Sequence, residues 1–84
     1  MSKITLIGLG KAGISNLIGI LRTPDLKGCS LSLVGKNEEK IHLVEMFAKQ
    51  LNQYFDSEMS IQGTTDLEKS LVGTDYIFLS LAVD

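Results

Sequence analysis

Ile4-Thr5-Leu6-Ile7-Gly8-Leu9-Gly10-Lys11-Ala12-Gly13 decides how this chain folds. An apolar run ends in G-x-G-x-x-G, and a helical pattern follows. Glycines at this spacing are needed where a buried strand turns sharply into a helix whose first amides face a phosphate. Gly8 permits the tight turn, Gly10 lets the backbone approach a pyrophosphate, and Gly13 lets helix and strand pack closely. The stretch therefore predicts a dinucleotide-binding loop made of Gly8, Leu9, Gly10, Lys11, Ala12 and Gly13. The competing reading is a turn that keeps this geometry without a ligand.

Working outward, Ile4 to Leu9 is almost unbroken apolar sequence, the pattern of a strand buried on both faces of a parallel sheet. Ala12 to Arg22 carries Ile14, Leu17, Ile18 and Leu21 at helical spacing, and Thr23-Pro24-Asp25 stops that helix. Leu31-Ser32-Leu33-Val34 reads as a second strand ended by Gly35. Asn37 is placed to cap a helix from Glu38 to about Phe55, with Glu38 and Glu39 set against its N-terminal dipole. The inner stripe of that helix is Ile41, Val44, Ala48, Leu51 and Phe55, widened by Phe47 and Tyr54.

Met59 to Gly63 predicts a third strand. Thr65-Asp66-Leu67-Glu68 reads as a capping box opening a short helix that Gly73 stops. Tyr76 to Leu81 predicts a fourth, apolar strand. The order β-α-β-α-β-α-β implies right-handed crossovers and a parallel sheet. The expected fold class is α/β, a Rossmann-like three-layer arrangement with strand order 3-2-1-4. That is the first half of a dinucleotide-binding domain plus the strand that opens its second half. An apolar fourth strand at the sheet edge would be a site for pairing with another chain, so self-association is expected.

The 84 residues are 44% hydrophobic and 21% charged, with a net charge of −2. This is a globular composition with no basic stripe, which argues against nucleic acid or an anionic membrane as a partner. The longest apolar runs fall far below the roughly 18 residues of a membrane span. Met-Ser-Lys followed at once by a strand does not read as a signal peptide. Cys29 is the lone cysteine, so no internal disulfide can form, which suits a reducing cytoplasm.

Beyond the glycine loop, three places bear on chemistry. At the end of the second strand a dinucleotide fold usually places an acidic residue on the adenosine ribose. Here the residues are Gly35-Lys36-Asn37. Without the carboxylate a 2′-phosphate would not be repelled, and Lys36 could pair with it, which favours NADP or a relaxed preference. Against this stands a solvated lysine and an asparagine that only caps a helix. Ser80 and Asp84 lie at the end of the fourth strand, where open α/β sheets bind ligands, and Ser80 is a candidate at the nicotinamide side. His42 and Cys29 have no partners at metal or catalytic spacing and read as a surface residue and a partly buried loop residue.

The stretches Lys3 to Gly10, Asn16-Leu17-Ile18-Gly19, Leu31 to Val34 and Gly73-Thr74-Asp75-Tyr76-Ile77-Phe78, with the long second helix, resemble the N-terminus of the family 4 glycoside hydrolases. These are the NAD- and divalent-metal-dependent α-galactosidases, α-glucosidases and 6-phospho-glycosidases. The related lactate and malate dehydrogenases share the pattern.

The resemblance implies hydrolysis outside the usual two-carboxylate mechanism. In the family, transient oxidation of the sugar's C3 hydroxyl by NAD acidifies the C2 proton. The aglycone is then eliminated, water adds and the ketone is reduced again. A metal such as Mn2+ polarises the C2 and C3 oxygens.

Gly8, Gly10 and Gly13 match the family's pyrophosphate loop. Gly35 stands where the family usually has its ribose-binding Asp. Ala82 and Asp84 stand where many members have Arg and Gly. The family's metal-binding Cys and His and its catalytic base lie downstream of Asp84. The expectation is therefore that residues 1–84 are the cofactor-binding N-terminal part of such a glycosidase, inactive alone. Its partners would be a dinucleotide and, in the parent, a small sugar or sugar phosphate. A fragment of a lactate/malate-type oxidoreductase and a non-catalytic nucleotide-binding module are the alternatives.

Overall fold

In the computed structural model, which describes residues 2–80, the apolar run becomes strand β1 (Lys3–Ile7). It is followed by helix α1 (Lys11–Arg22) and a single 3-10 turn over Pro24–Leu26. Strand β2 (Ser30–Val34), helix α2 (Glu38–Phe55) and strand β3 (Ser60–Thr64) come next. A short helix α3 (Leu67–Leu71) leads into strand β4 (Tyr76–Leu79). The four strands form one all-parallel sheet in the order β3-β2-β1-β4, as the alternation of elements implied.

Alternation along the strands separates two unlike faces. Ile4 and Leu6 pair in register with Leu31 and Leu33. All four are buried in one cluster with Leu17, Ile20 and Leu21 of α1 and Ile41, Val44 and Ala48 of α2. Thr5 belongs to the opposite face. Its hydroxyl lies 3.1 Å from the Ser70 carbonyl of α3 and 2.8 Å from the Thr74 hydroxyl. Helices α1 and α2 thus form one outer layer and α3 the other. The second face is thinner, with polar Thr5 and Ser32 at its centre and exposed Ile77 and Leu79 at its rim.

Several boundaries differ from the sequence reading, each for a local reason. β1 ends at Ile7 rather than Leu9, because Gly8 adopts φ +92° and turns the chain. Leu9 is nevertheless buried in the core. At α3 the cap is Asp66, not Thr65: its carboxylate accepts from the Lys69 amide at 3.0 Å. The Thr64 hydroxyl accepts from the Asp66 amide, which closes the turn and moves the helix start to Leu67. Phe47 and Tyr54 do not widen the inner stripe of α2; both are exposed, Tyr54 by 81%. Both lie on the flank of α2 turned away from Glu45 and Asn52, the side chains with which the helix meets β3 and the residue before it. The expected end of the fourth strand, Leu81, lies outside the described residues.

The two sheet edges are finished differently. At β3 the Gly63 amide points away from β2, and the Glu45 carboxylate of α2 accepts from it. A side chain on Gly63 would overlap Ile41, so the glycine is what lets α2 sit this close. At β4 the outer edge has no such cover among the described residues, and Tyr76, Ile77 and Leu79 are each more than half exposed. No helix among the described residues is long and apolar enough to cross a membrane.

Candidate functional site

The register of the sheet assembles the site. Ile7 pairs with Val34 on one side and Leu79 on the other, and Val34 pairs with Thr64. Gly8, Gly35, Thr65 and Ser80 therefore leave the sheet side by side at its C-terminal edge. Backbone bonds carry the ladder past the strand ends: Gly8 N–H to the Val34 carbonyl at 3.1 Å, Gly35 N–H to Thr64 at 3.3 Å, and Ser80 N–H to Ile7 at 2.9 Å. From β1 the chain steps to β2 and β3, then returns to β4 on the other side of β1. The strand order reverses there, which is where open parallel sheets leave a ligand crevice.

The glycine loop is packed backbone on backbone. At φ +92° a side chain on Gly8 would be strained, and its Cβ would overlap the Ser80 carbonyl oxygen. A Cβ on Gly13 would in turn overlap the Gly8 carbonyl oxygen. Gly13 thus lets α1 pack closely on β1, as its spacing predicted, and Gly8, at the predicted turn, also admits the end of β4, which the spacing did not indicate.

Gly10 differs from them, because its backbone (φ −76°, ψ −163°) suits any residue. What glycine gives at this position is an uncapped helix end. No side chain accepts from the first amides of α1, and no acid stands in its first turn. Those amides lack intrahelical partners by construction of the helix. Over them lies an open cavity of about 640 Å³, lined by Leu9, Gly10, Lys11, Ala12, Ile14 and Ser15 and, from α2, Lys40. A bare, positively polarised helix end under an open cavity fits the pyrophosphate of a dinucleotide.

Beside the loop, Gly35 is half-buried, and a Cβ there would lie 3.1 Å from the Ile41 side chain and 3.3 Å from that of Leu9. Lys36 is exposed. The Asn37 Oδ1 accepts from the Lys40 amide at 3.2 Å, so Asn37 caps α2 as its position suggested. Ser80 is buried, and its Oγ accepts from Asn16 Nδ2 at 2.7 Å, which ties β4 to α1 beneath the loop. Ala82 and Asp84 lie outside the described residues.

The structure therefore brings Gly8, Gly10, Gly13, Gly35 and Ser80 together. The Leu9 side chain turns into the core, while Lys11 and Ala12 are exposed along the cavity. His42 is exposed and Cys29 is a buried free thiol. Among the described residues no group of three His, Cys, Asp or Glu could hold a metal ion, so no metal chemistry is derived from them.

Sequence reasoning missed two residues. Lys40 reaches the cavity because α2 packs beside the loop, and the only hint was its place one turn past the Asn37 cap. Asn16 stood in one of the stretches that carry the resemblance, but nothing in the sequence pointed to its bond with Ser80.

The family model described as Family 4 glycosyl hydrolase matches residues 3–84. No curated protein matches the chain.

Proposed function

The chain belongs to family 4 of the glycosyl hydrolases, and from that premise we propose that residues 1–84 are the dinucleotide-binding N-terminal part of an NAD- or NADP-dependent glycosidase. The observation that carries the proposal is the uncapped first turn of α1, set under an open cavity where the strand order reverses. Gly8 and Gly13 hold the loop in shape, Gly10 leaves the amides bare, and Lys11 adds positive charge at the rim. Lys36 and Asn37 would stand toward the adenosine ribose, and Ser80, held by Asn16, would border the nicotinamide side. A bound nicotinamide would supply the hydride acceptor for transient oxidation of a sugar hydroxyl, the step that the family's mechanism needs.

The metal, such as Mn2+, and the catalytic base belong to other parts of the parent protein, whose substrate is an α-galactoside or 6-phospho-glucoside. The setting is cytoplasmic, which the free thiol of Cys29 suits. Neither nucleic acid nor membrane is a partner in this reading.

Titration calorimetry of the 84-residue chain with ADP-ribose tests the proposal, with saturable one-to-one binding expected. Absence of saturation up to about 1 mM ligand would overturn it. The isolated chain should also self-associate through the uncovered edge of β4. Sedimentation velocity should show mass rising with concentration, and a monodisperse monomer throughout would count against that part.

A further inference from the structure

We infer that the cavity over the glycine loop recognises an adenosine 2′-phosphate through Lys36 and Lys40, so that the chain prefers NADP to NAD; this rests on the dinucleotide reading above. Three observations carry it. The residue that follows β2 beside the loop is Gly35, which brings no carboxylate to the ribose. A carboxylate at that place would bind a free 2′-hydroxyl and repel a 2′-phosphate.

Second, the Asn37 side chain is committed to the Lys40 amide, which ties the Lys40 backbone to the loop between β2 and α2 and puts its side chain on the cavity wall. Third, neither ammonium group is engaged in an ion pair among the described residues. The ion pairs among the described residues join Lys27 to Asp56 and Glu58, and Lys49 to Glu45. Lys36 and Lys40 enter none of them, and both are exposed.

The acids nearest to them in sequence are Glu38 and Glu39 in the first turn of α2. Glu38 lines a different cavity, on the β3 side, with His42, Glu45 and Thr64. Glu39 is exposed and lines neither cavity. The cavity wall facing the glycine loop therefore presents Lys40, with exposed Lys36 in the adjoining loop between β2 and α2, to an anion that carries about two charges.

The test compares ADP-ribose with 2′-phospho-ADP-ribose by titration calorimetry on the 84-residue chain. The phosphorylated ligand should bind roughly tenfold tighter at low salt, the size that two partly exposed charge contacts supply. The gap should narrow as salt shortens the screening length. Lys40→Ala and Lys36→Ala should each reduce the gap, and Gly35→Asp should reverse it. Circular dichroism on each variant confirms that it is folded.

Equal affinities, or tighter binding of ADP-ribose, would overturn the inference and leave the dinucleotide proposal standing. A Lys40→Ala variant that weakens both ligands equally would also overturn it, by moving that lysine's contact to the pyrophosphate. Saturable binding of neither ligand would overturn both readings.

Discussion

Helices α1 and α2 begin one strand apart at the same edge of the same sheet, yet their first turns are built in opposite ways. α2 opens on Asn37, whose side chain accepts from the Lys40 amide, and carries Glu38 and Glu39 against its dipole. α1 opens on Gly10, with no side-chain cap and no acid in its first turn. One helix end is satisfied by its own residues. The other is left to be satisfied from outside. A capping residue contributes about 1 kcal/mol, so the bare end forgoes that much stability.

The largest effects come from filling the joint beneath the bare end. Gly13→Val places a branched side chain against the Gly8 carbonyl and should cost about 2–4 kcal/mol. Urea unfolding measures it, and a loss below 1 kcal/mol would mean that β1 and α1 can separate there without penalty.

Gly10→Asp makes α1 resemble α2. The new carboxylate should take the first-turn amides and repel phosphate, lowering ADP-ribose affinity by roughly 100-fold while stability stays level or rises by a few tenths of a kcal/mol. Retained affinity would show that the ligand does not use those amides.

Asn37→Ala strips the cap from α2 and should cost about 1 kcal/mol in thermal or urea unfolding. Asp66→Ala at α3 should cost a similar amount or less, since that helix has only five residues. It should leave ADP-ribose affinity unchanged, because Asp66 caps a helix on the far face of the sheet.

The strand order, the glycine loop and the span of α2 were legible because each follows from short-range pattern. Apolar runs, helical spacing and glycines at fixed offsets do not depend on what lies elsewhere in the chain. Membership of family 4 was legible for the same reason, through segments spread from Lys3 to Phe78.

What was not legible depended on neighbours distant in sequence. Lys40 joins the loop around Gly10 only because α2 packs beside α1. Phe47 and Tyr54 carry the right spacing to widen the inner face of α2, but they lie on its flank away from β3 and stay in solvent. The shift of the α3 cap from Thr65 to Asp66 turned on the Thr64 hydroxyl, since either residue can serve as a cap. α2 itself ends on Asp56 in the left-handed region (φ 54°), where sequence habit would look for glycine.

The carboxylate of Glu45 on the outward Gly63 amide gives the sheet a direction. On the β3 side an incoming strand must first displace a helix side chain already bonded to the backbone. On the β4 side it meets open amides and carbonyls among exposed Tyr76, Ile77 and Leu79. Like a filament with one blocked end, the sheet among the described residues is open to a further strand past β4 and closed to one past β3.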